Sequence, residues 1–320
     1  MEPALKIGNL DIHFRAIPAP LASITDIVFR KLLDEIGYTG YMVTEMISAE
    51  GLRRLQSKTL YMIRPSEFKT PQFIQLFGST PQAFTDAVKY VDSETGFHGI
   101  DINMGCPAGK VIRKGGGSAL LANPLNAAAI IRETKNNTRL PVTVKLRLGF
   151  KKENILEMVK VAEGEGVDAI AVHFRLQSDG YTGEAKWHYA QLIKERLNKG
   201  TVFIGNGDIK TAGEAREKLK VVDGVMIGRG AVINPYIFPE IAGVDPASLD
   251  MNRLFIRILE LIEENSIPKL WLPRLKAYGR YLFSNRPNSK RIRQHIYTCN
   301  TFEDAKQFLT SLKEENHEAL

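Results

Sequence analysis

The chain has 320 residues, 44% hydrophobic and 25% charged, which excludes a disordered polymer and leaves enough apolar surface for a core without disulfide or metal support. Forty-three Lys and Arg against 36 Asp and Glu give a formal charge of +7, a mild pointer to a polyanionic partner. Only two cysteines, Cys106 and Cys299, are present, which excludes a disulfide framework and suits a reducing compartment.

No run reaches the roughly 18 apolar residues of a membrane helix. The opening MEPALKIGNLDIHF lacks the apolar core of a signal peptide, so the expectation is a cytoplasmic protein with no membrane association; no obligate protein partner is inferred. In chain order, eight short apolar runs each end in glycine or polar residues and lead into a helical pattern. They are RAIPAPL from Arg15, YMVTEM from Tyr41, PQFIQLFG from Pro71, HGIDINMG from His98, PVTVKLRLG from Pro141, DAIAVHFR from Asp168, TVFIGNGDI from Thr201 and GVMIGRGA from Gly224. Near-continuous apolar runs such as VTVKL suit parallel strands covered on both faces. Between them Phe29, Leu32, Leu33 and Ile36, and again Phe84, Ala87, Val88 and Val91, fall at helical spacing, and Thr80-Pro81 reads as a helix start.

Eight strand–helix units over about 230 residues match a (β/α)8 TIM barrel, an α/β fold. A doubly wound open sheet fits eight even units less well, and no GxGxxG opens a helix after the first strand; the triple glycine Gly115–Gly117 follows the fourth run and lacks that spacing. The small, polar stretch AGVDPASLD (Ala242–Asp250) marks a boundary between a barrel domain at residues 1–243 and a helical domain at 244–320, where Phe255, Ile258, Leu259 and Ile262 repeat at helical spacing.

Ligand residues of such barrels come from the C-terminal strand ends and the loops after them. That rule selects Pro20, Leu21 and Ala22 after the first strand, Gln75 on the third, Asn103 and Cys106 on the fourth, Lys145 and Arg147 on the fifth and His173 on the sixth. It also selects Asn206, Gly207 and Asp208 after the seventh, and Gly228 and Arg229 after the eighth. The last two loops are the common phosphate site of the fold, and their glycines either make tight turns or let backbone N–H groups approach an anion beside Arg229. Lys145, within an apolar strand, is either a salt-bridged structural lysine or a cation near the reducible end of a cofactor. A cysteine of ordinary pKa, about 8.5, is mostly protonated at neutral pH and donates a proton, whereas nearby cations favour a nucleophilic thiolate. For Cys106, with Lys110, Arg113 and Lys114 close in sequence, both roles stay open, as does that of a buried inert cysteine.

These residues resemble those of the tRNA-dihydrouridine synthases. INMGCPAGKVIRKGGGSALLANP (Ile102–Pro124) is similar to that family's signature, supported by PAPLASITDIVFR, TEMIS, QLFG, KLRLG, NGDI and MIGRGA in order along the barrel. The resemblance implies an FMN-dependent oxidoreductase that takes hydride from NADPH or NADH and reduces the 5,6 double bond of uracil in folded RNA. It implies tRNA as partner, with ribosomal RNA and a free small pyrimidine as the alternatives. Carried over, Pro20, Leu21 and Ala22 line the flavin by backbone, Gln75, Asn103, Lys145 and His173 surround its ring, and Asn206, Gly207, Asp208, Gly228 and Arg229 hold its phosphate end. Cys106 becomes the acid that protonates carbon 5. The family has methionine at Leu21 and His-Gly-Arg-Thr where this chain reads His173-Phe174-Arg175-Leu176, which puts the sixth loop's contacts in question.

From Pro268 to His295 the chain has no Asp or Glu but carries Lys269, Arg274, Lys276, Arg280, Arg286, Lys290, Arg291 and Arg293. Beside a site aimed at uracil, this basic stretch reads as an RNA surface, with Lys276, Arg280, Lys290, Arg291 and Arg293 as phosphate contacts; the alternative is a solvated basic face. Trp271, Leu275, Tyr278 and Leu282 keep helical spacing, and most of them read as core rather than as base-stacking platforms.

Overall fold

The computed structural model describes residues 3–64, 66–198, 200–248, 251–282, 284 and 288–317. Eight parallel strands form one sheet: β3 (Ala16–Pro18), β4 (Met42–Ser48), β5 (Gln72–Phe77), β6 (Gly99–Met104), β7 (Val142–Arg147), β8 (Ala169–His173), β9 (Val202–Asn206) and β10 (Gly224–Ile227). From β4 to β10 each strand pairs with the next in sequence, β10 pairs with β3, and the ring closes where the Gly40 N–H, just before β4, donates to Ala16 O at 2.8 Å. This is the (β/α)8 barrel, with a strand at every one of the eight apolar runs.

Side chains alternate across a strand with period two, and here the two sides bury different sets. Ile100, Ile102 and Met104, Val142, Val144 and Leu146, and Ile170 and Val172 join helix residues such as Phe29, Leu33, Phe84, Val88 and Ile130 in the outer core. Phe73, Ala169, Ala171, Val202, Ile204 and Met226 form a separate cluster inside the barrel. With apolar neighbours on both faces the strands read as continuous apolar runs, the pattern expected of a covered parallel sheet. Followed to the C-terminal rim, the inward phase reaches Gln75, Asn103, Lys145, His173 and Asn206.

The opposite end is closed by a hairpin that the sequence pattern does not anticipate. β1 (Leu5–Ile7) and β2 (Leu10–Ile12) pair antiparallel, and Leu5, Ile7 and Ile12 insert into the inner cluster. Strands of three residues carry too little periodicity to stand out, and their burial depends on the barrel they plug.

Beyond Ala242 the described residues hold helices and no strand: Met251–Asn265, Trp271–Leu282, Ser289–Thr298 and Phe302–His317 are α-helical. Leu275, Tyr278 and Leu282 are buried on one stripe, as their spacing predicts. Asp26 ties this region to the barrel. Its Oδ1 caps the helix Ile27–Ile36 by accepting from the Val28 and Phe29 amides and also accepts the Tyr278 hydroxyl at 2.5 Å. Arg274 Nη1 lies 2.8 Å from the other oxygen, a charge contact without hydrogen-bond alignment.

Candidate active site

A cavity of about 750 Å3 opens at the C-terminal rim, and Pro20, Leu21, Ala22, Gln75, Asn103, Cys106, Lys145, His173, Asn206, Gly207, Asp208, Gly228 and Arg229 all line it. Convergence follows from strand parity: residues two apart on neighbouring parallel strands share one side of the sheet.

On one wall Gln75 Nε2 donates to Asp101 Oδ2 at 2.7 Å, and Gln75 Oε1 accepts from Asn103 Nδ2 at 2.8 Å. Asn103 Oδ1 in turn accepts the Cys106 amide at 2.9 Å and the Gly105 amide at 3.2 Å. From the other side Ser118 gives its amide (3.1 Å) and hydroxyl (2.8 Å) to Cys106 O. The glycine run serves this loop. Gly117 has φ +58°, and a Cβ there would stand 3.0 Å from Cys106 O and 2.9 Å from the Val111 side chain. Gly115–Gly117 is therefore a packing element that brings the signature segment against Cys106, whose half-buried side chain remains a free thiol.

Lys145 faces the cavity from β7, its ammonium donating to Asn206 Oδ1 at 3.0 Å. Burial, reinforced by Arg147, lowers its pKa to about 8, against opposing pulls from Asp101 and Cys106. Among the readings open for it, a direct salt bridge is not what the structure shows: its hydrogen-bond partner is a neutral amide. His173 is driven far below its ordinary pKa by burial and then by Lys145, Arg147, Arg175 and Arg229, so it is neutral. Its Nε2 lies 3.2 Å from Arg175 Nη1; a guanidinium only donates, so Nε2 accepts and Nδ1 carries the proton.

Arg175 also donates to Gly183 O and to Asp208 Oδ2 at 2.6 Å, and Arg229 approaches the other Asp208 oxygen at 3.5 Å. Desolvation pushes Asp208 upward, but Arg175, the Ala185 amide and Arg229 outweigh it and hold the carboxyl below its usual range. Asp208 thus orients two guanidinium groups. Gly207, at φ +137°, carries a Trp187 indole on its carbonyl at 2.9 Å, and a Cβ there would lie 2.6 Å from that of Ala185.

Phe174 does not obstruct this end. It is fully buried, 4.6 Å from the Trp187 ring centroid and edge-on to Phe203, on the outer side of the strand, while His173 faces in. Phe174→Leu removes buried aromatic volume and is expected to lower stability by about 1–2 kcal/mol, read as a drop in urea midpoint, with ligand binding in the cavity changed far less. Leu176 packs against the outer core. The sequence pattern leaves out Met46, Tyr181 and Trp187 on the cavity wall and Asp101 beneath it. Asp101 has a readable signal, lying two residues before Asn103 in the inward phase, whereas nothing local marks Tyr181.

The basic residues of the helical region are not equivalent. Arg280, Lys290 and Arg291 are exposed. Lys276 instead donates to Cys299 O at 2.9 Å, and Arg293 donates to the Ser284 hydroxyl at 3.1 Å. Arg286 lies outside the described residues.

A family model described as dihydrouridine synthase matches residues 17–318. The chain is 30% identical over 317 residues to "Probable tRNA-dihydrouridine synthase 1" of Synechocystis sp., covering 95% of this chain and 88% of that one. It is 37% identical over 243 residues to "tRNA-dihydrouridine synthase B" of Pseudomonas syringae pv. tomato, covering 74% and 71%. Among solved structures, a 2-naphthoyl-CoA reductase in complex with 2-naphthoyl-CoA shares the fold with a TM-score of 0.54 at 12% identity, covering 74% of this chain and 51% of that one.

Proposed function

The chain belongs to the dihydrouridine synthase family, and on that premise we propose that it is an FMN-dependent tRNA-dihydrouridine synthase that uses a nicotinamide as reductant, with Cys106 as the acid. The observation that carries this reading is the placement of Cys106, Lys145 and neutral His173 around one cavity whose far end holds the Asp208-bound Arg175 and Arg229. The donor set fits a flavin. Lys145 offers an ammonium with a neutral partner to an electron-rich ring edge, and one amide N–H remains on Gln75 after its bond to Asp101 and one on Asn103 after its bond to Gln75. Gly207 and Gly228, with Arg229 beside them, suit the phosphate end, where Asp208 acts through the guanidinium groups that it orients.

When bound, FMN supplies the hydride that adds to carbon 6 of the uracil. Cys106 donates its thiol proton to carbon 5, so two C–H bonds form, the 5,6 double bond is lost and the sulfur is left as thiolate. Asn103, through the Cys106 amide, holds the loop that carries the acid. Lys145 keeps positive charge where negative charge develops, an arrangement that costs no reorganisation during reaction. A stacked uracil cannot enter a barrel mouth, so the nucleotide must be extruded from the RNA.

Residues 244–320 serve in this reading as the RNA-docking domain, with Arg280, Lys290 and Arg291 as its exposed cations; Lys276 and Arg293 contribute through structure first. Replacing Lys290 and Arg291 with Ala is expected to weaken tRNA binding and flatten its salt slope by about 0.7–0.9 for each phosphate no longer neutralised. Filter binding across a salt series measures this, and an unchanged slope would place the RNA elsewhere.

The decisive assay gives the purified yellow protein NADPH, or NADH, with modification-free tRNA and with free uracil. Dihydrouridine is expected in tRNA alone. A colourless protein, or one that reduces uracil and ignores tRNA, would defeat the proposal. Mapping dihydrouridine in tRNA and ribosomal RNA from cells lacking the protein assigns the substrate and the position.

A further inference from the structure

Beneath the cavity wall sits a carboxyl group that the reaction does not touch. Asp101 is 1% exposed on β6, and its direct neighbours in register are Gln75 on β5 and Thr143 on β7. Thr143 donates its hydroxyl to Asp101 Oδ1 at 2.6 Å and Gln75 Nε2 donates to Oδ2 at 2.7 Å. Inward residues of the following strands, Ala169, Ala171, Val202 and Ile204, are apolar. Just below, the Tyr41 and Phe73 rings stand 4.5 Å apart. A carboxylate in such a layer is costly to bury, so an apolar residue would serve packing better.

We propose that Asp101 is a positioning residue that fixes, through Gln75 and Asn103, which hydrogen-bonding groups the cavity wall presents and where the Cys106 loop sits. The inference rests on the reading of the cavity as a flavin site with Cys106 as acid. Its warrant is the direction of each bond in the chain.

At one end the Gly105 and Cys106 backbone amides can only donate, so Asn103 must turn its oxygen to them. At the other end an ionised carboxylate can only accept, so Gln75 must turn its nitrogen to Asp101. The middle bond, from Asn103 Nδ2 to Gln75 Oε1 at 2.8 Å, is then the arrangement that both ends demand. Burial holds the Asp101 pKa up to about 6, while Thr143, Gln75 and Lys145 pull it down; at neutral pH the group is ionised and accepts only. Each amide nitrogen retains a second N–H. With Lys145 alongside, this part of the wall offers donors, which suits the carbonyl oxygens of a flat heteroaromatic ring. Without the carboxylate, Gln75 is free to rotate by 180° about its last bond (a terminal amide torsion is roughly two-fold) and present its oxygen instead. Asn103 then loses its acceptor, and the Cys106 amide loses a fixed partner.

The test compares Asp101→Leu with Thr143→Val. The second removes the other hydrogen bond to the same carboxylate and leaves the relay intact. Amide hydrogen exchange at Gly105 and Cys106, measured without flavin, is expected to speed up by about tenfold or more in Asp101→Leu, the worth of a hydrogen bond to a charged group. Flavin affinity, read by fluorescence quenching, should fall by a similar factor. Thr143→Val should change both by less than about twofold on the same scale, although it too perturbs the core.

Exchange and affinity unchanged in Asp101→Leu, or altered equally in Thr143→Val, would overturn the relay. If Asp101→Leu fails to fold, Asp101→Asn decides. Its side chain accepts from Gln75 in only one of two orientations, so exchange and flavin affinity should each shift by about threefold; parent-like values would overturn the proposal. A parent protein that binds no flavin would instead defeat the functional reading, with the exchange comparison still judging the relay by itself.

Discussion

Cys106→Ala is expected to leave the protein yellow and its flavin reducible by NADPH, while lowering the rate at which tRNA reoxidises that flavin by about 10^2–10^4-fold, the usual worth of a positioned proton donor. The structure makes this variant interpretable. The contacts that hold residue 106 use its backbone: Asn103 Oδ1 accepts its N–H, and Ser118 donates twice to its carbonyl. Deleting the sulfur leaves them in place, so the loop should keep its course and the loss should fall on proton transfer. His173 is a poor substitute, because burial and four surrounding cations keep it neutral. Stopped-flow absorbance separates the two half-reactions. A normal rate of reoxidation by tRNA would remove Cys106 from the role of acid.

Lys145→Met is expected to move stability and catalysis in opposite directions. In the flavin-free protein the ammonium has a neutral hydrogen-bond partner and a pKa of about 8 against 10.5 for an unhindered lysine. The folded-state value is depressed, so between about pH 8 and 10.5 the unfolded chain binds more protons, and the parent gains stability as pH rises through that window. The gain should be on the order of 2 kcal/mol, less than the full shift implies because the ammonium faces an open cavity. Below pH 8 the charged form prevails and the parent carries the whole cost. Lys145→Met removes the group, so it should be more stable than the parent at neutral pH and lack that alkaline rise. With flavin present, the same substitution should slow uracil reduction by about 10^2–10^3-fold through loss of a preorganised charge. Urea titrations from pH 7 to 10.5 and single-turnover reduction measure the two effects. A variant less stable than the parent at pH 7, with unaltered turnover, would make Lys145 a structural lysine.

Much of the barrel was legible because a parallel strand buried on both faces must be apolar throughout, and that produces a signal in eight consecutive runs. The hairpin at the barrel floor was not: Leu5, Ile7 and Ile12 are buried only because a barrel exists for them to close. Spacing correctly assigned Leu275, Tyr278 and Leu282 to the core of the helical region. It said nothing of the bond by which Lys276 reaches Cys299 O, 23 residues along the chain.

From sequence alone came the barrel, the rim residues gathered on its C-terminal face and the family to which they point, since residue type, period and strand order are all written along the chain. Only the folded molecule decided the rest. It turned Phe174 outward and His173 inward, gave Lys145 a neutral partner, and bonded Gln75 to the Asp101 carboxylate. Those outcomes depend on which side of a strand each residue takes and on neighbours brought close by the barrel's closure. Hydrogen-bond direction and desolvation act over a few ångströms in space, and distance along a chain carries no record of either.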